Sequence, residues 1–355
     1  MLLEIFSFLV ILLSSLPFFK NQHWIFRAPE FMKLQITVLQ VIIIILSFIF
    51  WQNDDLIFQI LTYIQIGLFL YHLYLLSRYT KFWRIHKSSS EPAKKSETVK
   101  LISCNIYQFN RNYDPFIQLV KKEKPDIVLS MESDAPWEKA LRVLEEDYPN
   151  TLKITLDNTY GMHFYTKLKC IEKKVHYFVS DDLPSVEVHL ETEDGYEFVF
   201  FGVHPPPPSP TEESNSKERD GDLLSVAKKI RNYKKPVVVA GDFNNVAWAD
   251  SSILFKKTSR LIDARIGRGF ISTFHAKYWF FRAPLDLLFH SPDVFIDKLF
   301  VYPSVDSDHF PVGCEFKIGE ATAKQIEETK DLEAGKMEEV NELIEEGKQE
   351  ESDNR

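Results

Sequence analysis

The sequence predicts a layered α/β domain of two packed sheets, preceded by a membrane-spanning helical region. Three observations carry this reading. Short apolar strands alternate with helical patterns from about Thr98 to about Ile318. Several of the strand-like runs stop abruptly at an acid, an amide or a histidine. Residues 1–85 hold three apolar runs unlike anything that follows them. Strands interspersed with helices bury their apolar faces against one another, and stacked layers are the stable way to do so.

The apolar runs are Leu2 to Phe19, Leu34 to Trp51 and Leu56 to Leu76. Each approaches the ~20 residues that cross a bilayer as a helix. The first is short and contains Glu4. A signal sequence is its alternative, but it lacks a basic start and a small-residue cleavage site. A buried helical hairpin of a soluble domain is the alternative for the whole region, and three such runs in succession argue against it. The connection after the first run carries Lys20, Arg27 and Lys33; the next is Gln52-Asn53-Asp54-Asp55; after the third come Arg78, Lys81, Arg84 and Lys87. The positive-inside rule then predicts a multi-pass membrane protein with its folded domain in the cytoplasm. Trp51, Tyr79 and Trp83 lie where interfacial aromatics are expected.

Residues 86–97 read as a polar linker and 98–318 as the folded domain. Strands are expected at Val99 to Cys104, Ile127 to Ser130, Val237 to Ala240, Leu285 to Phe289, Lys298 to Tyr302 and Pro311 to Phe316. A hairpin is expected from Val186 to Leu190 and Tyr196 to Val203, turning at Asp194-Gly195. Helical spacing covers Phe116 to Lys122, Trp137 to Glu146 and Leu223 to Asn232. Residues 319–355 form an acidic tail with weak helical spacing in Met337, Val340, Leu343 and Ile344, expected to be disordered or a solvated helix.

The formal net charge is −9. The tail holds thirteen acids and five bases, so it supplies nearly all of that charge. The rest is close to neutral, which leaves no broad basic field for gripping nucleic acid. The three cysteines (Cys104, Cys170 and Cys314) cannot all pair and show no C-x-x-C spacing, so reduced thiols are expected.

Five strand ends carry polar residues where apolar ones would otherwise continue: Asn105, Glu132, His204, Asp242 with Asn244, and Asp308 with His309. Sites of α/β sheets gather at strand termini, so residues far apart in sequence can converge there. Asp, Glu and Asn offer hard oxygen ligands that suit Mg2+ or Mn2+. No Cys/His cluster with zinc spacing is present. Each residue has a plainer reading: Asn105 or Asp242-Phe243-Asn244 as turn residues, Glu132 as a loop acid, Asp308-His309 as a surface ion pair.

In order, the blocks Ser103-Cys104-Asn105-Ile106, Pro125 to Glu132, Tyr160 to Lys167, Gly202-Val203-His204-Pro205-Pro206, Gly241-Asp242-Phe243-Asn244, Pro284-Leu285-Asp286 and Ser307-Asp308-His309-Phe310-Pro311 resemble the endonuclease/exonuclease/phosphatase (DNase I-like) superfamily. The apolar amino end, with His204-Pro-Pro-Pro-Pro, Glu218-Arg219-Asp220 and Thr273-Phe274-His275-Ala276, is further similar to a membrane-anchored bacterial branch. The resemblance implies a four-layered α/β sandwich and a divalent-metal-dependent phosphoester hydrolase. Glu132 would be the principal metal ligand, with Asn105 and Asp308 completing the shell. Asp242 would orient or deprotonate the attacking water, and Asn244 would hold that water or a phosphate oxygen. His309 would contact the scissile phosphate, oriented by Asp286, and His204 would donate to a phosphate or leaving oxygen. Many relatives carry His after the Asp286 position; here it is Leu287. Weaker candidates are Tyr160, Arg219 and His275.

The substrate is therefore expected to be a phosphoester: a lipid headgroup, a nucleotide or a nucleic acid. A membrane-tethered nuclease is the second reading and an inactive scaffold the third. No obligate protein partner is evident.

Overall fold

The computed structural model describes residues 2–51, 55–86 and 94–352. Residues 52–54 of the second connection and 87–93 of the expected linker lie outside the described residues. Four helices come first: α1 (Leu2–Ser15), α2 (Trp24–Phe31), α3 (Lys33–Ile49) and α4 (Leu56–Ser77). The domain follows as β1 (Val99–Asn105), α5 (Asp114–Glu123), β2 (Ile127–Met131), α6 (Ala135–Leu141), β3 (Asn150–Ile154), β4 (Met162–Thr166), β5 (Lys169–Tyr177), β6 (Pro184–Glu191), β7 (Glu197–Val203), α7 (Lys217–Ile230), β8 (Val237–Asp242), α8 (Asp250–Ser259), β9 (Ile262–Asp263), β10 (Asp286–His290), β11 (Val294–Val301) and β12 (Val312–Ile318). Two short helices, α9 (Ala323–Glu328) and α10 (Lys336–Gln349), end the chain.

The strands form two six-stranded sheets. Their orders are β11-β12-β1-β2-β4-β3 and β5-β6-β7-β8-β10-β9. Period-two alternation sorts the side chains into layers. Leu101 of β1, Leu129 of β2, Phe198 and Phe200 of β7 and Val238 and Ala240 of β8 fill the core between the sheets. Their neighbours Ile102, Cys104 and Val128 face outward onto Phe116 and Val120 of α5 and Trp137 of α6. On the other side, Val199, Phe201, Val237 and Val239 meet Leu223 and Val226 of α7 and Phe255 of α8. Helix, sheet, sheet and helix therefore make four layers, as expected. The hairpin at Asp194-Gly195 is present, with Gly195 at a φ of 86°. All three cysteines are unpaired.

Strand direction sets where the chemistry lies. β1 runs parallel to β2, and β7 parallel to β8. Their carboxyl ends carry Asn105, Glu132, His204 and Asp242 to one edge of the sandwich. β10 runs antiparallel to β8 with Asp286 opposite Asp242, so its first residue arrives at that same edge. β12 pairs antiparallel with β1, which brings the preceding Asp308-His309 there too. Gly241 is required by close approach: a Cβ there would stand 2.0 Å from the Val203 carbonyl oxygen.

All three apolar runs are helical, but among the described residues only α4, at 22 residues, is long and apolar enough by itself to cross a membrane. α2 and α3 pass that test as a pair bent by 73°, and α1 is shorter, with 14 residues. α1, α3 and α4 pack together with polar side chains inside: Gln40 Nε2 donates to Ser14 Oγ at 3.1 Å, Gln65 Nε2 to the Ser7 carbonyl at 2.9 Å, and Gln40 Oε1 lies 3.0 Å from His72 Nδ1. Their outward residues, among them Ile5, Phe6, Val38, Ile45, Phe48, Ile57 and Tyr74, are exposed and apolar.

The acidic tail corrects an expectation. Over its described residues it is not a freely solvated helix, because α10 docks along α7. Val340 and Ile344 are buried against Leu224, with Met337 and Leu343 alongside, so the weak spacing in the sequence was a packing face. Gly221 and Gly347 let the two backbones approach: a Cβ on Gly347 would lie 2.7 Å from the Lys217 carbonyl oxygen. Lys217 pairs with Glu350 at 2.6 Å, and Lys228 Nζ donates to Asn341 at 2.7 Å. Gly347→Val should overpack this contact by about 1–3 kcal/mol. Limited proteolysis should then release the tail faster than in the parent protein.

Candidate active site

Four turns present the side chains. After β2 the chain takes a left-handed residue at Glu132, with φ of 61°. That conformation costs a non-glycine residue roughly 1–2 kcal/mol. It is held by hydrogen bonds to both carboxylate oxygens: Asn105 Nδ2 donates to Oε1 at 2.8 Å, and the Gln108 backbone N–H donates to Oε2 at 2.8 Å. After β8, Asp242 Oδ1 accepts from the Asn244 backbone at 2.9 Å, and Asn244 is left-handed with φ of 46°. Asn244 Nδ2 in turn donates to the Pro205 carbonyl at 2.9 Å, which ties this turn to the one behind His204. Before β12, the Ser307 hydroxyl donates to the Asn105 carbonyl at 2.7 Å and accepts the His309 N–H at 3.0 Å, anchoring that turn to β1.

The turns meet in one cleft of about 460 Å³. Asn105, Glu132, His204, Asp242, Asn244, Asp308 and His309 all line it. Asp286 stands behind His309, its Oδ2 2.8 Å from Nδ1. The far ring nitrogen, Nε2, lies 3.4 Å from Asp242 Oδ2. His204 Nε2 is 3.8 Å from the same oxygen, and Asn105 Nδ2 donates to it at 3.2 Å. All eight residues proposed from the sequence are thus gathered at one place.

Burial and charge divide their protonation states. Burial drives the Glu132 carboxyl up to about 7, opposed by its bonds to the Gln108 backbone and Asn105 and reinforced by the charge of Asp308. Burial also raises Asp242, against the pull of His309. At His309 burial favours the neutral ring, but the carboxylates of Asp286 and Asp242 outweigh it and raise the imidazole to about 10. His204 is lowered to about 4 by burial, only partly offset by Asp242, so it is neutral at pH 7. Two buried atoms, His204 Nδ1 and Asp286 Oδ1, have no hydrogen-bond partner among the described residues.

These groups fit a divalent cation. Glu132 keeps free lone pairs after accepting one bond on each oxygen, and the donor set is hard oxygen, the set that suits Mg2+ or Mn2+. Four carboxylates face a buried His309, and such an excess of negative charge in a desolvated cleft calls for a counter-ion. A second grouping is also present: Asp242, Asp286 and His309 offer ligand atoms all within 4.8 Å of one another. There the Asp286–His309 hydrogen bond already occupies Nδ1, which favours reading that trio as a proton-holding array.

The weaker candidates sort differently. The Tyr160 ring lines the cleft, 5.4 Å from the His204 ring, and its hydroxyl donates to Glu212. Arg219 pairs with Asp220, and it also donates to the Asn244 carbonyl at 3.1 Å, bracing the Asp242 turn from beneath. The ring of His275 lies on Tyr278, while its neighbour Phe274 lines the cleft with its ring 4.9 Å from that of His309. Leu287 points into the helix-side core, away from the site. Sequence reasoning missed Gln108, whose contribution is a backbone N–H that no residue type announces. It also missed Arg282, whose guanidinium lies over the Phe310 ring at the cleft wall.

The model of the Endonuclease/Exonuclease/phosphatase family matches residues 102–309. The chain belongs to this family. It is a phosphoester hydrolase, as the family's chemistry and the convergent site agree. Solved structures share the fold. A humanised D. rerio TDP2 is 17% identical, with a TM-score of 0.53 over 62% of this chain and 99% of that one. A Bacteroides thetaiotaomicron protein of the same family is 21% identical, with a TM-score of 0.52 over 64% and 100%. The human Nocturnin catalytic domain with bound sulfate is 17% identical, with a TM-score of 0.51 over 63% and 95%. No curated protein sequence matches significantly.

The Asp286–His309 pair makes a stability prediction. An unfolded histidine titrates near 6.5, and here the folded value is raised to about 10. Its stabilisation is therefore complete below about 6.5 and is lost as pH rises through about 10. In metal-free buffer, Asp286→Asn should cost roughly 3 kcal/mol near neutral pH. Thermal unfolding followed from pH 6 to 10.5 should show the gap between variant and parent closing at the alkaline end.

Proposed function

We propose that this chain is a membrane-anchored, Mg2+- or Mn2+-dependent phosphoester hydrolase, acting as a phosphatase or phosphodiesterase by in-line attack of water on phosphorus. The observation that carries the reading is the meeting of Asn105, Glu132, Asp242, Asp308 and His309 in one cleft. Glu132, Asn105 and Asp308 are the proposed metal ligands. A divalent cation held there would neutralise charge developing on a phosphoryl oxygen. Asp242, with its proton affinity raised by burial, takes a proton from the attacking water as the new P–O bond forms. Asn244 holds that water or a phosphate oxygen in line. The His309 imidazolium, fixed by Asp286, binds the phosphate through Nε2. Neutral His204 donates a hydrogen bond toward the leaving oxygen, which departs with the electrons of the breaking P–O bond and is protonated from the site. A solved D. rerio TDP2 carries a single-strand DNA product on the same fold, at 18% identity, so a nuclease remains the second reading. The near-neutral domain gives it little support, because tracking a nucleic-acid backbone needs several basic contacts.

Anchoring in the membrane is supported by the helical bundle α1, α3 and α4, whose interior holds polar side chains beside Val10, Ile36 and Ile43 and whose exterior is apolar. That is the reverse of a soluble bundle and matches a lipid surround. The charge bias of the connections supports a hydrolase domain on the cytoplasmic face of the inner membrane. A fluorescent protein fused after Arg355 is therefore expected to fluoresce, and a periplasmic reporter at that position to stay silent.

Glu132→Ala in the full chain should abolish Mn2+ binding and lower metal-dependent hydrolysis by at least about 10²-fold. Asp286→Asn should bind Mn2+ as the parent does while losing about 10²–10⁴-fold in rate. Titration calorimetry with Mn2+ on both variants checks the assignment: loss of binding in Asp286→Asn, with retention in Glu132→Ala, would move the metal to the His309 trio.

A further inference from the structure

The catalytic cleft has two kinds of wall. Its floor is the polar constellation described above. One side is built from the membrane-proximal helices: Trp24, Ala28 and Phe31 of α2, the bend residue Met32, and Gln35 in the first turn of α3. α2 is fastened to the domain at both ends. The Trp24 N–H donates to the Ser214 carbonyl at 2.9 Å, and Trp248 Nε1 donates to the Glu30 carbonyl at 2.8 Å. The wall is therefore part of the site and continues directly into the apolar helix α3.

Beside it lies the segment Tyr278-Trp279-Phe280-Phe281, between β9 and β10. Four consecutive aromatics are exposed there, Trp279 by 80% and Phe280 by 61%. Gln35 Nε2 donates to the carbonyls of Phe280 and Arg282 at 3.2 and 3.1 Å, which pins the segment beside the start of α3. Exposed aromatics beside the start of an apolar helix match the belt found where a bilayer meets water. Arg282 comes next. It lines the cleft between the aromatic segment and the catalytic floor, and its Nε is buried with no hydrogen-bond partner among the described residues. An unpartnered guanidinium nitrogen at such a place is suited to an anion.

We propose that the substrate is a membrane phospholipid, loaded from the bilayer with its phosphoester on the catalytic floor and its acyl chains along the α2–α3 wall. The Tyr278–Phe281 segment seats in the headgroup layer and holds the cleft mouth against the lipid, and Arg282 receives the headgroup phosphate as it enters. This rests on the hydrolase reading of the cleft and names its substrate class. The charge of the chain agrees with it: a single lipid phosphate needs one guanidinium, where a nucleic acid needs a basic track.

The test uses the full chain reconstituted with Mn2+ in phosphatidylcholine vesicles containing phosphatidic acid or phosphatidylglycerol. The chain-free counterparts are glycerol 3-phosphate and glycerophosphoglycerol. Bis(p-nitrophenyl) phosphate reports basal hydrolysis, and a single-stranded oligonucleotide represents the rival class. A lipid should be hydrolysed at least about tenfold faster than its chain-free counterpart, because the bilayer presents it at high effective concentration to a cleft mouth seated on the lipid. The double variant Trp279→Ser/Phe280→Ser, altered outside the cleft lining, should lose that lipid advantage and keep its rate on bis(p-nitrophenyl) phosphate. Equal rates on lipid and chain-free forms, preference for the oligonucleotide, or an unaffected double variant would each overturn the lipid assignment while leaving the hydrolase intact. Silence on every phosphoester would overturn the hydrolase reading and the proposal with it.

Discussion

The structure turns on the crowding of acids in a dry cleft. Glu132, Asp242 and Asp286 are buried or nearly so, and Asp308 faces them from the cleft wall. Carboxylates so close cannot all stay ionised without help, because each lost its water on folding and each repels the others. The fold supplies part of that help. His309 is wedged between Asp286 and Asp242, the Asn105 amide bridges Glu132 and Asp242, and backbone N–H groups of Gln108 and Asn244 aim at carboxylate oxygens. What is left over is a concentrated negative potential at Glu132, where a divalent cation would be bound most strongly.

That requirement explains why two sheets are needed. Asn105 and Glu132 leave one sheet, while His204, Asp242 and Asp286 leave the other. The sheets are joined at the site as well as through the core. Asn105 Nδ2 reaches across to Asp242, and the Asp242 N–H lies 3.0 Å from Met131 Sδ. The strained backbone at Glu132 and Asn244 sits at these crossings. Sites commonly carry such strain where the surrounding packing fixes it.

Most of the site was legible because a buried strand that stops at Asp, Asn or His breaks its own alternation. Val237-Val238-Val239-Ala240-Gly241-Asp242 is the clearest case, and the ordered blocks supplied the fold. Other elements left no such mark. β5 is an edge strand, Lys169–Tyr177, none of it fully buried and with charged residues on both faces, so no apolar period betrays it. α10 was read as solvated because its acids dominate its composition, yet four apolar side chains and one glycine are enough to dock it. Gln108 acts through its backbone, and Arg282 matters through its position, neither of which a residue type reveals.

The helical region also contributes directly to the cleft. A tether alone needs one apolar span and a flexible connection. Here α2 is bent 73° from α3, bonded to the domain at both ends, and contributes the cleft wall. Leu76 at the end of α4 and Tyr79 just beyond it pack with Trp248 and Leu285, within a few residues of Asn244 and Asp286. The turns that carry the chemistry therefore rest on the helices. The hydrophobic contact that holds the domain to the bundle is the same contact that shapes the access route, so the orientation of the cleft relative to the helices is fixed by packing. The proposed phospholipid would meet such a mouth with its apolar part beside the exterior of α3.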